Sequence, residues 1–388
     1  MPPFYLMDTM VNKNLPKSVY IHIPFCKSKC LYCGFYSKPP NQYDIKKVLN
    51  AQIAELKKSS FQKPVDTLYI GGGNPSCLGQ KLLCGFLKKV LALTGRPDEF
   101  TVEVNPADAN ENLLVNLKKL GVNRISIGVQ SFFDTELAFL GRAYSAKQAQ
   151  KTIEAAKTVG FKNISIDLIF AIPGSNLRSW RQTLKKAIEM DVTHISAYSL
   201  TYEKNTPLEK TKSAGKLKPV SETTDRKMYE TAIETLGDAG FEHYEISNFA
   251  KPDFQCKHNL TYWKNNFYIG IGPAAAGYIS GSRFENISDI DKYADCIKND
   301  KSPIAERIKI SPIEKASQTA VLGLRLIKGI DLKEYKRKTG FDIFELFKDS
   351  IEKNLKLNIL QLKNGNLRLT KNALPIADSI LCDFAQPD

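Results

Sequence analysis

The sequence has no run of about 20 consecutive apolar residues, the length a membrane-spanning helix requires, so a bilayer-embedded chain is not expected. Its opening, MPPFYLMDTMVNKNLPKSVY, also lacks the long apolar stretch of a secretory signal, which predicts a cytoplasmic, reducing setting. Internal repeats and low-complexity tracts are absent, which excludes a solenoid or a linker-like chain. Histidine is scarce, with four residues, and tryptophan scarcer, with two. Acidic charge is in deficit: 41 Asp and Glu stand against 55 Lys and Arg, a formal net charge of +14. The lysines are spread along the chain, as in KKSSFQK and KTKSAGKLK, and no aromatic-basic recognition motif accompanies them. That pattern reads as a solvated surface and predicts no nucleic-acid partner, while suiting an anionic ligand or peripheral contact with anionic lipid.

What remains is an ordinary globular composition, 43% hydrophobic and 25% charged, over a length of 388 residues that fits a main domain with a smaller appendage. Short runs rich in Val, Ile, Tyr, Phe and Thr at 19–25, 67–70, 100–104, 124–129, 163–170 and 194–200 predict strands. Between them, segments 45–58, 81–93, 111–120, 146–159 and 179–190 repeat apolar residues every three or four positions, as amphipathic helices do. Six strands alternating with helices predict an α/β fold with a parallel sheet, either open or a partial barrel, whose working residues lie at the C-terminal ends of the strands. Residues 201–221, polar and interrupted by proline, predict a loop or lid, with a helix at 222–239 after it. Near the end, ILQLKNGNLRLT predicts a hairpin with an Asn-Gly turn, and short helices closed by a hairpin predict a small winged-helix-like α+β domain. The expected divisions are a tail at 1–17, a main domain at 18–240, a glycine- and aromatic-rich connection at 241–300 and the C-terminal domain at 301–388.

Three of the eight cysteines, Cys26, Cys30 and Cys33, crowd into one CxxxCxxC array directly after the first predicted strand. Thiolates are the normal ligands of iron–sulfur clusters, and one tight loop lets three of them converge. Zinc prefers two separated pairs of ligands, and no second pair exists here. Three thiolates leave one iron of a [4Fe–4S] cube open, which a reaction needs and a pure electron carrier does not.

This array, with Tyr32 just before its third cysteine, resembles the radical S-adenosylmethionine superfamily, and further elements follow in order. The resemblance implies that S-adenosylmethionine chelates the open iron and that Tyr20 and Phe35, flanking the array, lie against the cofactor. Gly71-Gly72-Gly73-Asn74-Pro75 is similar to the family's GGGTP element, with Asn74 in place of threonine. Glu103-Val-Asn-Pro resembles its ExNP element, and by the same resemblance Gln130 and Arg142 contact the cofactor while Asp167 holds the ribose hydroxyls. Ala171 stands where the family usually has glycine.

Over nearly the whole chain, YIHIPFC and RISIGVQSF narrow the resemblance to the oxygen-independent coproporphyrinogen III oxidase-like group. The oxidases carry CxxxCxxCxC; this chain has Phe35 at the last position and a short N-terminal arm. The heme-chaperone (HemW) branch reads CxxxCxxCxF and carries an HNxxYW motif, matched here by His258, Asn259, Tyr262 and Trp263. That implies heme as cargo, with His258 or the nearby Cys256 as candidate iron ligand and the aromatics against the macrocycle. The implied partners are apo-hemoproteins such as respiratory enzymes, with a homodimer and peripheral membrane association as further expectations. Radical decarboxylation of coproporphyrinogen III is the competing enzyme reading, and RNA modification a third that would require an RNA-binding appendage. His22, His194 and His243 are expected to be structural or to line the cofactor.

Overall fold

In six stretches small or polar residues alternate with large apolar ones, and each stretch forms a strand: β1 (Ser18–Ile23), β2 (Thr67–Gly72), β3 (Glu99–Val104), β4 (Arg124–Gln130), β5 (Asn163–Phe170) and β6 (His194–Ser199). The computed structural model describes residues 15–386; most of the expected tail, residues 1–14, lies outside them. The six strands pair in parallel in chain order. The helices between them are α1 (Ile45–Lys58), α2 (Gly79–Thr94), α3 (Glu111–Lys119), α4 (Asp134–Phe139) with α5 (Ala146–Thr158), and α6 (Leu177–Glu189). α1, α2, α3, α5 and α6 match their expected segments to within about two residues; α4 lies outside them. β1 stops short of the expected residue 25 because Pro24 has no N–H to continue the ladder.

The sheet then grows at both edges. After α7 (Pro207–Ser213) and α8 (Glu222–Asp238), β7 (Glu242–Glu245) and β8 (Asn248–Ala250) form an antiparallel pair, and β8 lies against β6. Helix α9 (Lys257–Trp263) follows, and β9 (Ile269–Ile271) returns to run parallel to β1. The strand order is β7-β8-β6-β5-β4-β3-β2-β1-β9, and among the described residues no pairing closes β7 on β9. This is the expected partial (β/α)6 barrel.

Residues 201–221 depart from the loop expectation, since α7 occupies their centre. Pro207, read as an interruption, is the first residue of that helix, where a missing N–H costs nothing. Thr206 caps it by accepting from the N–H of Glu209 at 3.2 Å. Among the described residues no helix is long and apolar enough to cross a membrane.

One face of the sheet carries Val19, Ile21, Leu68, Ile70, Val102, Ile125, Ile127, Ile164, Ile166 and Ile195, all buried in the main hydrophobic core. The other face carries Tyr20, His22, Tyr69, Glu103, Arg124, Ser126, Asp167 and Ser196, because the period of a strand is two. Barrel interiors are usually filled with branched apolar side chains, so a polar one marks a space kept for something else.

Helix α9 closes the N-terminal ends of these strands, here called the foot. Ser18 Oγ meets Thr261 Oγ1 at 3.0 Å, Thr67 Oγ1 meets His258 Nδ1 at 2.7 Å, and the Glu99 carboxylate accepts from the N–H groups of Lys257 and His258 at 2.9 Å each. Farther on, Ala276–Ile279, Ser282–Asn286 and Ile304–Lys309 make a three-stranded antiparallel sheet. The predicted hairpin pairs Leu360–Lys363 with Asn366–Leu369, and Asn364 and Gly365 both take positive φ (51° and 76°), as a type I′ turn requires. With the helices Pro312–Gly323, Leu332–Thr339 and Lys348–Lys356 it gives the winged-helix-like C-terminal unit.

Candidate functional site

Pro24 ends β1, and the cysteine loop begins at once. Its backbone is pinned at several points: Cys26 N–H donates to the Lys38 carbonyl (3.1 Å), Leu31 N–H to that of Leu140 (3.1 Å), and Leu208 N–H to that of Leu31 (3.0 Å). The loop is therefore held by the end of α4 on one side and by α7 on the other. Cys26, Cys30 and Cys33 are free, half-buried thiols lining one cavity of about 850 Å³ at the C-terminal mouth of the strands. Burial pushes the Cys26 thiol up to about 11 and raises that of Cys33. Among the described residues no three His, Cys, Asp or Glu side chains converge on a single-ion position; a cluster asks instead for one thiolate per iron.

The glycine run packs against the loop's root. Gly73 N–H donates to the Ile23 carbonyl (2.9 Å) and Asn74 N–H to that of Phe25 (2.7 Å). A Cβ on Gly73 would stand 2.5 Å from the Phe25 oxygen, and Gly72 holds a φ of +106°, so neither position accepts a side chain without movement. The Asn74 amide donates to Asp108 at 2.6 Å. Asp108 also accepts from Lys27 of the cysteine loop at 2.5 Å, and Asn74 and Asp108 both line the cavity.

Glu103 accepts from the Tyr69 hydroxyl (2.7 Å) and from Gly72 N–H (3.1 Å). Burial pushes its carboxyl up to about 7, with nearby Asp167 adding to the shift. Asp167 is likewise raised by burial, against a hydrogen bond from Ser196. Gln130 sits at the end of β4 with a φ of +65°, beside a break in the pairing register with β5. Arg142 donates to the Tyr32 hydroxyl and lies over the rings of Tyr32 (5.5 Å) and Tyr144 (5.8 Å), while its Nε is buried with no hydrogen-bond partner. Phe35 is 70% exposed at the rim.

The cavity thus gathers the cysteines with Phe35, Gly72, Gly73, Asn74, Glu103, Gln130, Arg142 and Asp167, and it reaches Asn259 of α9. The donor set fits a cluster and an aminoacyl cofactor: three thiols on one loop, a bare-backbone cradle, and a guanidinium with an orphaned nitrogen. Tyr20 lies elsewhere, with its hydroxyl on His22 Nδ1 (3.0 Å) and its ring near those of Tyr69 and His258.

The HNxxYW segment divides between surroundings. His258 is 1% exposed, and both ring nitrogens are engaged, Nδ1 with Thr67 and Nε2 with the Tyr262 hydroxyl at 2.7 Å. Burial, aided by Arg124, pushes it down to about 3, so it is neutral. In this conformation neither nitrogen is free for iron. Cys256 is buried against Glu99, its Sγ 3.6 Å from Oε1. Tyr262 borders a second, smaller cavity of about 420 Å³ with Tyr268 and Arg283, and Trp263 lies under the Arg325 guanidinium at 4.9 Å. His22, His194 and His243 are all hydrogen-bonded within the protein.

Comparison with known proteins gives this geometry its family. The model of the radical SAM superfamily matches residues 20–187, and that of the HemN C-terminal domain residues 310–376. A heme chaperone HemW of Bacillus subtilis is 37% identical over 87% of this chain and 92% of its own length. The chain belongs to the HemW heme-chaperone family. A second HemW, from Lactococcus lactis, is 32% identical over 96% of the chain and 98% of its own length. The fold agrees with that of coproporphyrinogen III oxidase (HemN) from Escherichia coli, a radical SAM enzyme, at a TM-score of 0.82 and 19% identity over 96% of this chain and 90% of that one. As in the HemW reading of the array, Phe35 stands where an oxidase has a further cysteine.

Motif reading did not single out Tyr69, Arg124, Ser126 and Ser196, which line the same cavity. The signal was present in the strands, where SVYIHI, TLYIGG, EFTVEV and RISIGVQ alternate polar with apolar residues although both faces are covered.

Proposed function

We propose that this chain binds heme and passes it to apo-hemoproteins, on a scaffold whose Cys26, Cys30 and Cys33 hold a [4Fe–4S] cluster and whose mouth binds S-adenosylmethionine. The observation that carries the reading is the match to HemW heme chaperones over nearly the whole chain. It is supported by Phe35 in place of the oxidases' further cysteine and by the HNxxYW segment. When bound, the cluster and cofactor supply one-electron chemistry. The chain's own residues do the rest. Gly72 and Gly73 leave room for the cofactor's methionine end, Arg142 faces its carboxylate, and Asp167 faces its ribose. The rings of Tyr32 and Tyr144, 5.5 and 5.8 Å from the Arg142 guanidinium, hold that cation at the rim. The cytoplasmic setting, a homodimer and peripheral membrane contact belong to the same proposal, the last supported by the lysine-rich surface.

The test is anaerobic reconstitution with iron and sulfide, followed by two assays. Titration with hemin is expected to give a Soret band and transfer to apomyoglobin. Incubation with S-adenosylmethionine, reductant and coproporphyrinogen III is expected to give no protoporphyrinogen. Turnover in the second assay would establish the oxidase reading in its place.

A further inference from the structure

The stretch between the first two cysteines is barely tied to the fold by its backbone. The backbone anchors of the thiol loop lie at Cys26, Leu31 and Lys38, and among the described residues none holds Lys27, Ser28 or Lys29. A side chain fixes the stretch instead. Lys27 Nζ donates to Asp108 Oδ1 at 2.5 Å, and the other oxygen of that carboxylate accepts from the Asn74 amide at 2.6 Å. Asp108, in the loop after β3, has a side chain 7% exposed, although that of Lys27 is 62% exposed. Both partners adjoin residues of the site, since Lys27 follows Cys26 and Asn74 follows Gly73. The amide is itself oriented: Asn74 Oδ1 accepts from Ser76 Oγ at 2.5 Å, and Ser76 Oγ accepts from the Asn105 N–H at 3.0 Å. The Asn105 carbonyl in turn accepts from the Asp108 N–H at 2.9 Å. Thiol loop, glycine turn and the loop after β3 thus close on one carboxylate. A threonine at position 74, as in the family's pattern, carries its hydroxyl one bond short of the amide nitrogen that meets Asp108.

We propose that Asp108 is a positioning residue for the cluster. It fixes the Cys26–Cys30 segment through Lys27 and the glycine turn through Asn74, and the ion pair it makes tunes the potential of the cluster beside it. The inference rests on the reading of the three thiols as ligands of a [4Fe–4S] cluster. Lys27, Asn74 and Asp108 line the same cavity as those thiols. An ion pair with one exposed member adds little to global stability, so its effect is local, on how long the loop retains the cluster. Charge near a cluster also sets its potential: reduction adds negative charge, which a cation at hand eases and an anion opposes.

The experiment uses the full-length chain, reconstituted anaerobically with iron and sulfide, as the parent and as Lys27→Met, Asp108→Asn and Asn74→Thr. Lys27→Arg is the conservative replacement. Asp108→Asn turns one accepting oxygen into a donor against the Asn74 amide. Two quantities are read without any turnover: the rate at which a chelator bleaches the visible absorbance of the cluster, and its midpoint potential in a redox titration. All three variants are expected to bleach at least threefold faster than the parent, with Lys27→Arg close to the parent. The potentials should part company. Lys27→Met, which loses a cation, should lie below the parent, Asp108→Asn, which loses an anion, above it, and Asn74→Thr level with it. A merely structural defect would move the three together. Bleaching at the parent's rate in Lys27→Met or Asp108→Asn overturns the proposal, as do potentials that shift in one direction or not at all. If Asp108→Asn does not fold, Lys27→Met and Asn74→Thr decide the matter, by fast bleaching with one lowered and one unchanged potential. A parent that takes up no cluster removes the cluster reading itself, whereas a loaded parent with unmoved variants removes the role of Asp108 alone.

Discussion

Two glutamates four residues apart on β3 live in opposite circumstances. At the foot, Glu99 is 4% exposed and its carboxylate is taken by backbone donors of α9. At the mouth, Glu103 accepts from Tyr69 and Gly72 and borders open space. The same contrast holds for the groups around them. His258 and His194 have both ring nitrogens engaged, whereas the mouth holds three free thiols and an arginine with an orphaned nitrogen. The foot spends its polar groups on closing the barrel; the mouth keeps them for a ligand. His258, chosen from sequence as a candidate heme ligand, belongs by geometry to the closed end.

The sharpest way to break this contrast is to compare losses at each end. Replacing Cys26, Cys30 or Cys33 by alanine should abolish iron and sulfide incorporation, measured by metal analysis and visible absorbance. The urea stability of the metal-free chain should change by under about 1 kcal/mol, since half-buried thiols outside the core carry little packing. Glu99→Ala should do the reverse. It orphans the buried N–H of His258 and the part-buried one of Lys257 and should cost about 2 kcal/mol or more of unfolding free energy, with cluster assembly retained at low temperature.

The ends should also oppose each other in pH. Burial, then Arg124, holds His258 down to about 3, below its ordinary 6.5. The folded state therefore binds fewer protons than the unfolded one, so this stability is complete above pH 6.5 and drains away as pH falls toward about 3. Glu103 is raised to about 7 from 4.5, chiefly by burial, so its contribution is complete below pH 4.5 and is lost as pH rises through about 7. Each group has a limiting slope of about 1.4 kcal/mol per pH unit. In urea titrations across this range, His258→Gln should flatten the acid limb and Glu103→Gln the alkaline one.

Much of the frame was legible before any coordinates. Apolar spacing located the helices closely, and the Asn364-Gly365 pair named its own turn. Pro207 misled because local reading treats proline as a breaker, whereas its position one residue after a capping threonine makes it a helix start. The mouth was legible through its short motifs, which lie on single loops. The foot was not, because α9 reaches it only after the chain has left the parallel strands and returned, and no local pattern states where it docks. Arg124 was visible within RISIGVQSF, but its burial among Glu99, Glu103 and Asp167 is a tertiary fact.

The smallest effect concerns Ala171, at the end of β5, which holds a φ of +57° where the family's pattern has glycine. A left-handed conformation costs an alanine about 1 kcal/mol, so Ala171→Gly should raise stability by up to that amount, read as a shift of about 2 °C in melting temperature. No change would mean that this end of the sheet relaxes the strain by other means.

Leu31 lies between Cys30 and Cys33, with its N–H on Leu140 and its carbonyl on Leu208. Two crossovers far apart in sequence are thus stitched through a single residue of the thiol loop. Whatever orders that loop also orders α7, whose Lys210 and Lys212 face solvent. Trypsin should then report from outside on what the thiols hold: slow cleavage at these lysines for the loaded protein, early cleavage for the stripped one.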